Sequence, residues 1–187
     1  MTHHGITFRA LEQKDFGLLY QWHNAPHVHA WWDTHKAWTW GAVERKYSSR
    51  LVTQPDASCG VFSYIYDYAH TPAGYCQFYD TTLFLDPLDL RALAPHTAGI
   101  DFFLGNASLL GQGIAACALS LFIETLIHEH FTHAFVDPAL DNQRAIAFFK
   151  KVGFNTLEGA NNRQWMIKRI DRAPSHSPHR DRCFDQE

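Results

Sequence analysis

The apolar positions of this chain recur with one of two periods, and each change of period marks a new element. Ile6 to Leu11 alternates as a strand does. From Lys14 the spacing becomes helical, with Phe16, Leu18, Leu19 and Trp22 on one stripe until Pro26, before which the helical region is disfavoured. A stretch rich in tryptophan follows (Trp31, Trp32, Trp38, Trp40), and residues 39–51 read as a second helix. Gly60–Tyr68 and Gly74–Asp80 are strand-like and are separated by Thr71-Pro72-Ala73-Gly74, which predicts a hairpin turning there. Residues 82–98, with Pro87 and Pro95, read as a long loop. Gly99–Leu104 is a short apolar strand interrupted by Asp101. A turn at 106–113 opens an apolar helix over 113–128, and a strand follows at Phe131–Val136, broken by Asp137-Pro138. A helix over 142–151, with Gly153 as its C′ residue, and strands at 154–157 and 164–170 complete the pattern.

The order is β-α-α-β-β-β-α-β-α-β-β. It predicts an α/β (α+β mixed) fold, with helices on the faces of a mixed sheet. Residues 1–170 read as one domain, with no internal repeat. The tail 171–187 is rich in charge, serine and proline and is expected to be disordered.

Composition narrows the function classes. The chain has 187 residues, is 46% hydrophobic, and carries a formal charge of -3 (16 Lys+Arg against 19 Asp+Glu). With no basic surplus, a nucleic-acid partner is not expected, whereas a cationic small molecule is compatible. The four cysteines, Cys59, Cys76, Cys117 and Cys183, form no Cys-x-x-Cys pair, so no zinc framework is expected. His128-Glu129-His130 to His133 is not a metal signature either and suits a helix end. Met1–Gly5 shows no basic segment leading into an apolar one, and no apolar run approaches the roughly 20 residues of a membrane helix. A cytoplasmic protein, away from membranes, is the expectation.

Two segments carry candidate chemistry. In the first, a strand from Gly99 enters a turn, Leu110-Gly111-Gln112-Gly113-Ile114-Ala115, that opens a long helix. Small residues let a phosphate approach the backbone, and the first N–H groups of a helix form an anion site. No Gly-Lys-Ser/Thr follows, so it is not a Walker loop. The second segment runs from Asp137 through Asn142, Ala145 and Phe149 to Gly153-Phe154, with Asn142 suited to cap a helix.

The first turn resembles the pyrophosphate loop of GNAT acyltransferases, Arg/Gln-x-x-Gly-x-Gly/Ala, with Leu110 in the first place. The second segment resembles that family's Asn-x-x-Ala-x-x-x-Tyr-x-x-x-Gly-Phe signature. The resemblance covers about residues 6–170. It implies a GNAT fold, in which a central mixed, mostly antiparallel sheet splays open at the acetyl-CoA site. It further implies that Phe103, Leu110 to Ala115 (Gly111, Gln112, Gly113 and Ile114 between them), Asn142, Ala145 and Phe149 contact acetyl-CoA. Phe149 stands where many members carry a Tyr that protonates the leaving thiolate.

Within the family, Tyr20 to Trp32, Gly74-Tyr-Cys-Gln77 and Gly99-Ile-Asp101 to Ser108 resemble bacterial aminoglycoside 6′-N-acetyltransferases. That likeness makes Asp101 the candidate general base, and Asp137, Trp31, Trp32, Tyr79 and Asp80 candidate substrate contacts. The chemistry agrees. A protonated amine must lose a proton before it attacks a thioester, and a carboxylate both attracts the cation and accepts the proton. A backbone N–H of the splayed strand, at Phe103, is the expected oxyanion donor. The expected partners are acetyl-CoA and a small amine, and the expected assembly is a monomer or homodimer.

Other readings stay open. Ala25-Pro26-His27-Val28 resembles siderophore-pathway hydroxylysine N-acyltransferases, which typically carry His at the place of Asp101. Acetylation of a protein N-terminus is a third enzymatic option. Leu110 and Phe149 also fit a non-catalytic acyl-CoA-binding protein. The tryptophans read equally as core, and Cys117 as packing.

Overall fold

The computed structural model describes residues 5–32, 37–51, 60–86, 91–158 and 163–171. The expected tail beyond 171, Cys59, Cys183 and Pro87 lie outside them. Seven strands form one sheet in the order β1-β2-β3-β4-β5-β7-β6. They are β1 (Ile6–Ala10), β2 (Val61–Tyr68), β3 (Thr71–Asp80), β4 (Thr97–Leu104), β5 (His133–Val136), β6 (Asn155–Thr156) and β7 (Met166–Arg169). Among the described residues five α-helices flank it: α1 (Phe16–Asn24), α2 (Pro26–His29), α3 (Trp40–Tyr47), α4 (Ile114–Phe122) and α5 (Gln143–Lys151). Every strand pairing is antiparallel except β4 with β5.

Two apolar layers hold the helices to the sheet. On one face Ala98, Ile100 and Leu104 of β4 pack with Ala118, Leu119 and Phe122 of α4 and Phe149 of α5. On the other, Ile65, Tyr75 and Phe103 pack with Phe16, Leu19 and Trp22 of α1 and with Val43 and Tyr47 of α3. Alternation along β4 therefore sends even-numbered side chains toward α4 and α5, and odd-numbered ones toward α1–α3. Each large side chain so buried contributes about 1.5–3 kcal/mol.

The hairpin turns earlier than the composition suggests. Its turn is Ala69-His70, both at positive φ (48° and 62°), which is the two-residue geometry that matches strand twist. Thr71 to Gly74 lie inside β3. The register steps from Asp67↔Pro72 to Tyr66↔Gly74, leaving Ala73 as a bulge. A proline fits beside a bulge because the ladder already lacks a bond there. The Ala73 carbonyl accepts the N–H groups of Gly105 (2.8 Å) and Asn106 (2.9 Å) and so anchors the end of β4. The short helix α2 adds one element to the expected order. It starts on Pro26, whose fixed φ suits a first helical position.

Helix α4 begins at Ile114, with Gly113, the expected first residue, as its N-cap, but its α-helical geometry ends at Phe122 and a π turn covers Ile123–Ile127. Gly153, at φ 95°, closes α5 as the expected C′ residue.

Candidate active site: a cleft where two parallel strands part

Strands β4 and β5 pair only through Thr97↔His133, Ala98↔Ala134 and Gly99↔Phe135. Beyond that point β4 continues to Leu104, while β5 runs into Asp137-Pro138 and turns away. A cavity of about 580 Å3 opens between them, lined by β4, the glycine turn, α5 and the aromatic segment after α1.

Hydrogen bonds show which backbone groups face the gap. The His96 carbonyl accepts from Thr132 (2.9 Å) and the Leu104 carbonyl from His27 Nε2 (2.9 Å), both on the β5 side. The Thr97 carbonyl accepts from Thr81 (3.0 Å) and the Phe103 carbonyl from the Tyr66 hydroxyl (3.2 Å), both on the β3 side. In an extended strand the N–H and C=O of one residue point the same way and alternate along the chain. Ile100 and Phe102 therefore present their main-chain groups to the gap, and Phe103 presents its own to β3. The N–H expected to face the cleft, that of Phe103, turns to β3 instead, and the one aimed into the cleft is that of Phe102. Phe103 also lines the cavity.

At one end of the cleft, Gly111 and Gly113 adopt φ of 77° and 80°, and Gly113 caps α4. A Cβ at either would meet nothing within 4 Å, so the turn is left open rather than filled by packing. The N–H groups of the first turn of α4, with its positive dipole end, make this a cradle for an anion such as a pyrophosphate. Across the cleft, the Asn142 side chain accepts the Ala145 N–H (3.0 Å) and so starts α5.

At the other end stand two carboxylates. Asp101 and Asp137 each lie two residues beyond the last β4–β5 pair, Gly99↔Phe135, and so flank the mouth of the split. Gln77, directly opposite Asp101 in the sheet, donates its side-chain N–H to Asp101 Oδ2. Burial pushes the Asp101 carboxyl above its ordinary range, and Lys46, Arg50, the Gln77 bond and Arg163 pull it back. Asp137 is pushed up to about 6, mainly by burial, against the opposing pull of Arg163 and with a further push from Asp101. Arg163 lies 4.0 Å from Asp137 Oδ2 and donates to the Asp137 carbonyl at 3.0 Å. Burial raises the Tyr79 hydroxyl as well, and both aspartates add to the shift.

The acetyltransferase (GNAT) domain profile matches residues 12–161. The chain belongs to the GNAT acetyltransferase family. Its cleft, at the parting of two parallel strands beside a glycine turn, is therefore that of a GNAT enzyme, whose acyl donor in related structures is acetyl-CoA. Among curated relatives, aminoglycoside N(6′)-acetyltransferase type 1 of Klebsiella pneumoniae and that of Serratia marcescens are each 31% identical over 151 residues, covering 80% of this chain and 73% of theirs. A solved structure of the aminoglycoside acetyltransferase AAC(6′)-Ib with coenzyme A and kanamycin superposes with a TM-score of 0.73 at 28% identity, covering 88% of this chain and 94% of that one. Another, with paromomycin and acetyl-CoA, gives 0.74 at 28% identity, covering 88% and 93%.

Against this GNAT frame the expected residues separate. Leu110, Gly111, Gly113, Ala115, Asn142, Ala145 and Phe149 line the cavity, as do Asp101, Asp137, Trp31 and Trp32. Gln112 does not; its amide donates to the Ser108 carbonyl (2.7 Å) and stabilises the turn from outside. Ile114 packs toward the core from the first turn of α4. Tyr79 lies over Gly99, where a Cβ would sit 2.4 Å from its ring, so it supports the site rather than lining the cavity. Asp80 caps the turn at Thr81–Leu83 by accepting the Thr82 N–H (2.9 Å) and hydroxyl (2.7 Å). The tryptophans divide: Trp22 and Trp38 are core, Trp31 and Trp32 line the cleft, and Trp40 is exposed against Tyr20.

Sequence reasoning missed His27, Leu109, Phe148 and the basic residues Arg144, Lys151 and Arg163 of the cavity wall. Arg144 and Lys151 had a signal, since both lie on α5 beside the recognised motif, one near each end. Arg163 had none, since it reaches the cleft through an isolated bridge to Ala139. Among the described residues no helix is long and apolar enough to cross a membrane.

Proposed function

We propose that this enzyme transfers the acetyl group of acetyl-CoA to the 6′-amine of an aminoglycoside. The observation that carries the reading is the pair Asp101 and Asp137 at the mouth of the split, beside the cleft-lining Trp31 and Trp32. Two carboxylates suit a polycationic amine, and flat indole faces suit the apolar faces of sugar rings.

Acetyl-CoA supplies the acyl group as a thioester. The glycine turn at 111–113 and the start of α4 hold its pyrophosphate, and the cleft edge of β4 receives its pantetheine arm. Asp101 takes a proton from the substrate ammonium. The freed amine then attacks the thioester carbon, held beside it by the cleft. The Phe102 N–H donates to the carbonyl oxygen as negative charge grows there. The C–N bond forms, the C–S bond breaks, and the second amine proton passes to the sulfur. Phe149 offers no proton, but a thiol that ionises near pH 8–9 is a tolerable leaving group. A cytoplasmic enzyme, monomeric or homodimeric, fits this use of acetyl-CoA.

Asp101→Asn tests the reading. It is nearly isosteric and keeps the fold, so kcat with a 6′-amino aminoglycoside should fall by about 10²–10⁴-fold. Acetyl-CoA affinity, measured by calorimetry, should stay unchanged. Full turnover in the variant would remove Asp101 from the role of base.

A further inference from the structure

Gln77 sits opposite Asp101 in the β3–β4 ladder and is buried at 3% exposure. An amide side chain can present either its oxygen or its nitrogen, and here the choice is made by its neighbours. Its oxygen accepts from the Tyr75 hydroxyl and from the Arg50 guanidinium (2.6 Å). The guanidinium has only donors and so requires an acceptor, and the Tyr75 hydroxyl donates to that same oxygen. The Tyr75 hydroxyl is itself held by Ser63 at 2.8 Å. Arg50 lies over the Tyr47 ring, 5.6 Å from its centre, at the end of α3. With the oxygen engaged on that side, the N–H points at Asp101 Oδ2.

We propose that Gln77 is the positioning residue of Asp101: clamped by Tyr75 and Arg50, its amide donates to Oδ2, fixes the carboxylate plane and leaves Oδ1 as the oxygen that meets the substrate amine. The proposal rests on the reading of Asp101 as the base. It assigns the strand Gly74–Gln77 a part in the reaction, through a chain of contacts that runs from the α3 side of the sheet to the cleft.

A bond donated to the charged carboxylate favours ionisation, so its loss should raise the pH at which Asp101 titrates. The other groups that act on this carboxylate are Lys46 and Arg50 from the α3 side, Arg163 and Asp137 across the split, and Tyr75 and Tyr79 on β3. Of these, Arg50 and Tyr75 also bond Gln77 itself, so Gln77→Met takes a partner from both, whereas Gln77→Glu keeps an acceptor for each.

The test uses Gln77→Met, which removes the donor at similar volume. It also uses Gln77→Glu, which keeps acceptors for Tyr75 and Arg50 but sets a second carboxylate against Asp101. The Asp101 side-chain carboxyl carbon is followed by NMR across pH, assigned through Asp101→Asn. The acid limb of kcat/KM is measured alongside. Both variants should bind acetyl-CoA as the native enzyme does. The titration and the acid limb should move up together by about one pH unit in Gln77→Met, and further in Gln77→Glu. Should Gln77→Met fail to fold, Gln77→Glu alone carries the comparison. Folded variants that bind acetyl-CoA while Asp101 titrates as in the native chain would overturn the proposal. If instead Asp101→Asn retains turnover, the base reading fails, and the NMR titration still decides whether Gln77 controls this carboxylate.

Discussion

Single residues in the cleft are tuned by competition between burial and nearby charge. Asp101 is desolvated, but Lys46 and Arg50 act against that burial, so it is not left as an unpaired buried charge. Asp137 has less support, and its carboxyl is raised to about 6. The folded state therefore binds a proton at Asp137 that the unfolded chain, titrating near 3.9, has already lost. Stability should fall as pH rises from about 4 to 6 by about 1 kcal/mol, after discounting for a side chain that is 39% exposed. Urea unfolding at pH 4 and pH 7 checks this: Asp137→Asn should flatten the difference, and an unchanged slope would mean that Asp137 is not its source. The sequence offered both aspartates through the family resemblance, and Asp101 also because it interrupts an apolar strand. It could not offer Gln77 as the neighbour of Asp101, because that pairing depends on the β3–β4 register. The same holds for Phe102 against Phe103, since a shift of one residue turns every main-chain group to the opposite edge.

At the level of elements, function follows from where pairing stops. The β4–β5 ladder ends after Gly99↔Phe135, and the cleft-facing N–H and C=O groups of Ile100 and Phe102 become available to a ligand. The glycine turn and the start of α5 were legible because glycine and asparagine stand there for local reasons, positive φ and helix capping, that act within a few residues. The hairpin turn was not legible: Ala69-His70 carries no glycine or asparagine, and the bulge at Ala73 lets a proline enter a strand. The glycine turn gives a direct prediction. Gly113→Val places a β-branched residue at φ 80°, where its backbone is strained, and should move the first turn of α4 out of position. Acetyl-CoA affinity should weaken on the order of tenfold by calorimetry. Affinity unchanged in a folded variant would show that this turn does not hold the anion.

The whole molecule is a sheet with a helical layer on each face, and the cleft lies where both layers reach the split. Gly105, just past β4, lets α1 seat closely against the end of that strand: a Cβ there would lie 2.2 Å from the Trp22 ring of α1. Gly105→Ala should destabilise the fold by about 1–3 kcal/mol in urea titration, by forcing α1 away from the sheet. A loss below 0.5 kcal/mol, typical of surface changes, would mean that α1 is free to shift. Family membership, the strand split and the paired carboxylates converge on acyl transfer to a cationic amine. The most direct test of that claim is acetyl-CoA turnover, followed by thiol release, with kanamycin as acceptor and hydroxylysine and a polyamine beside it. Turnover of kanamycin that depends on Asp101 is the expected result. Turnover of hydroxylysine alone, or kanamycin turnover undiminished in Asp101→Asn, would contradict it.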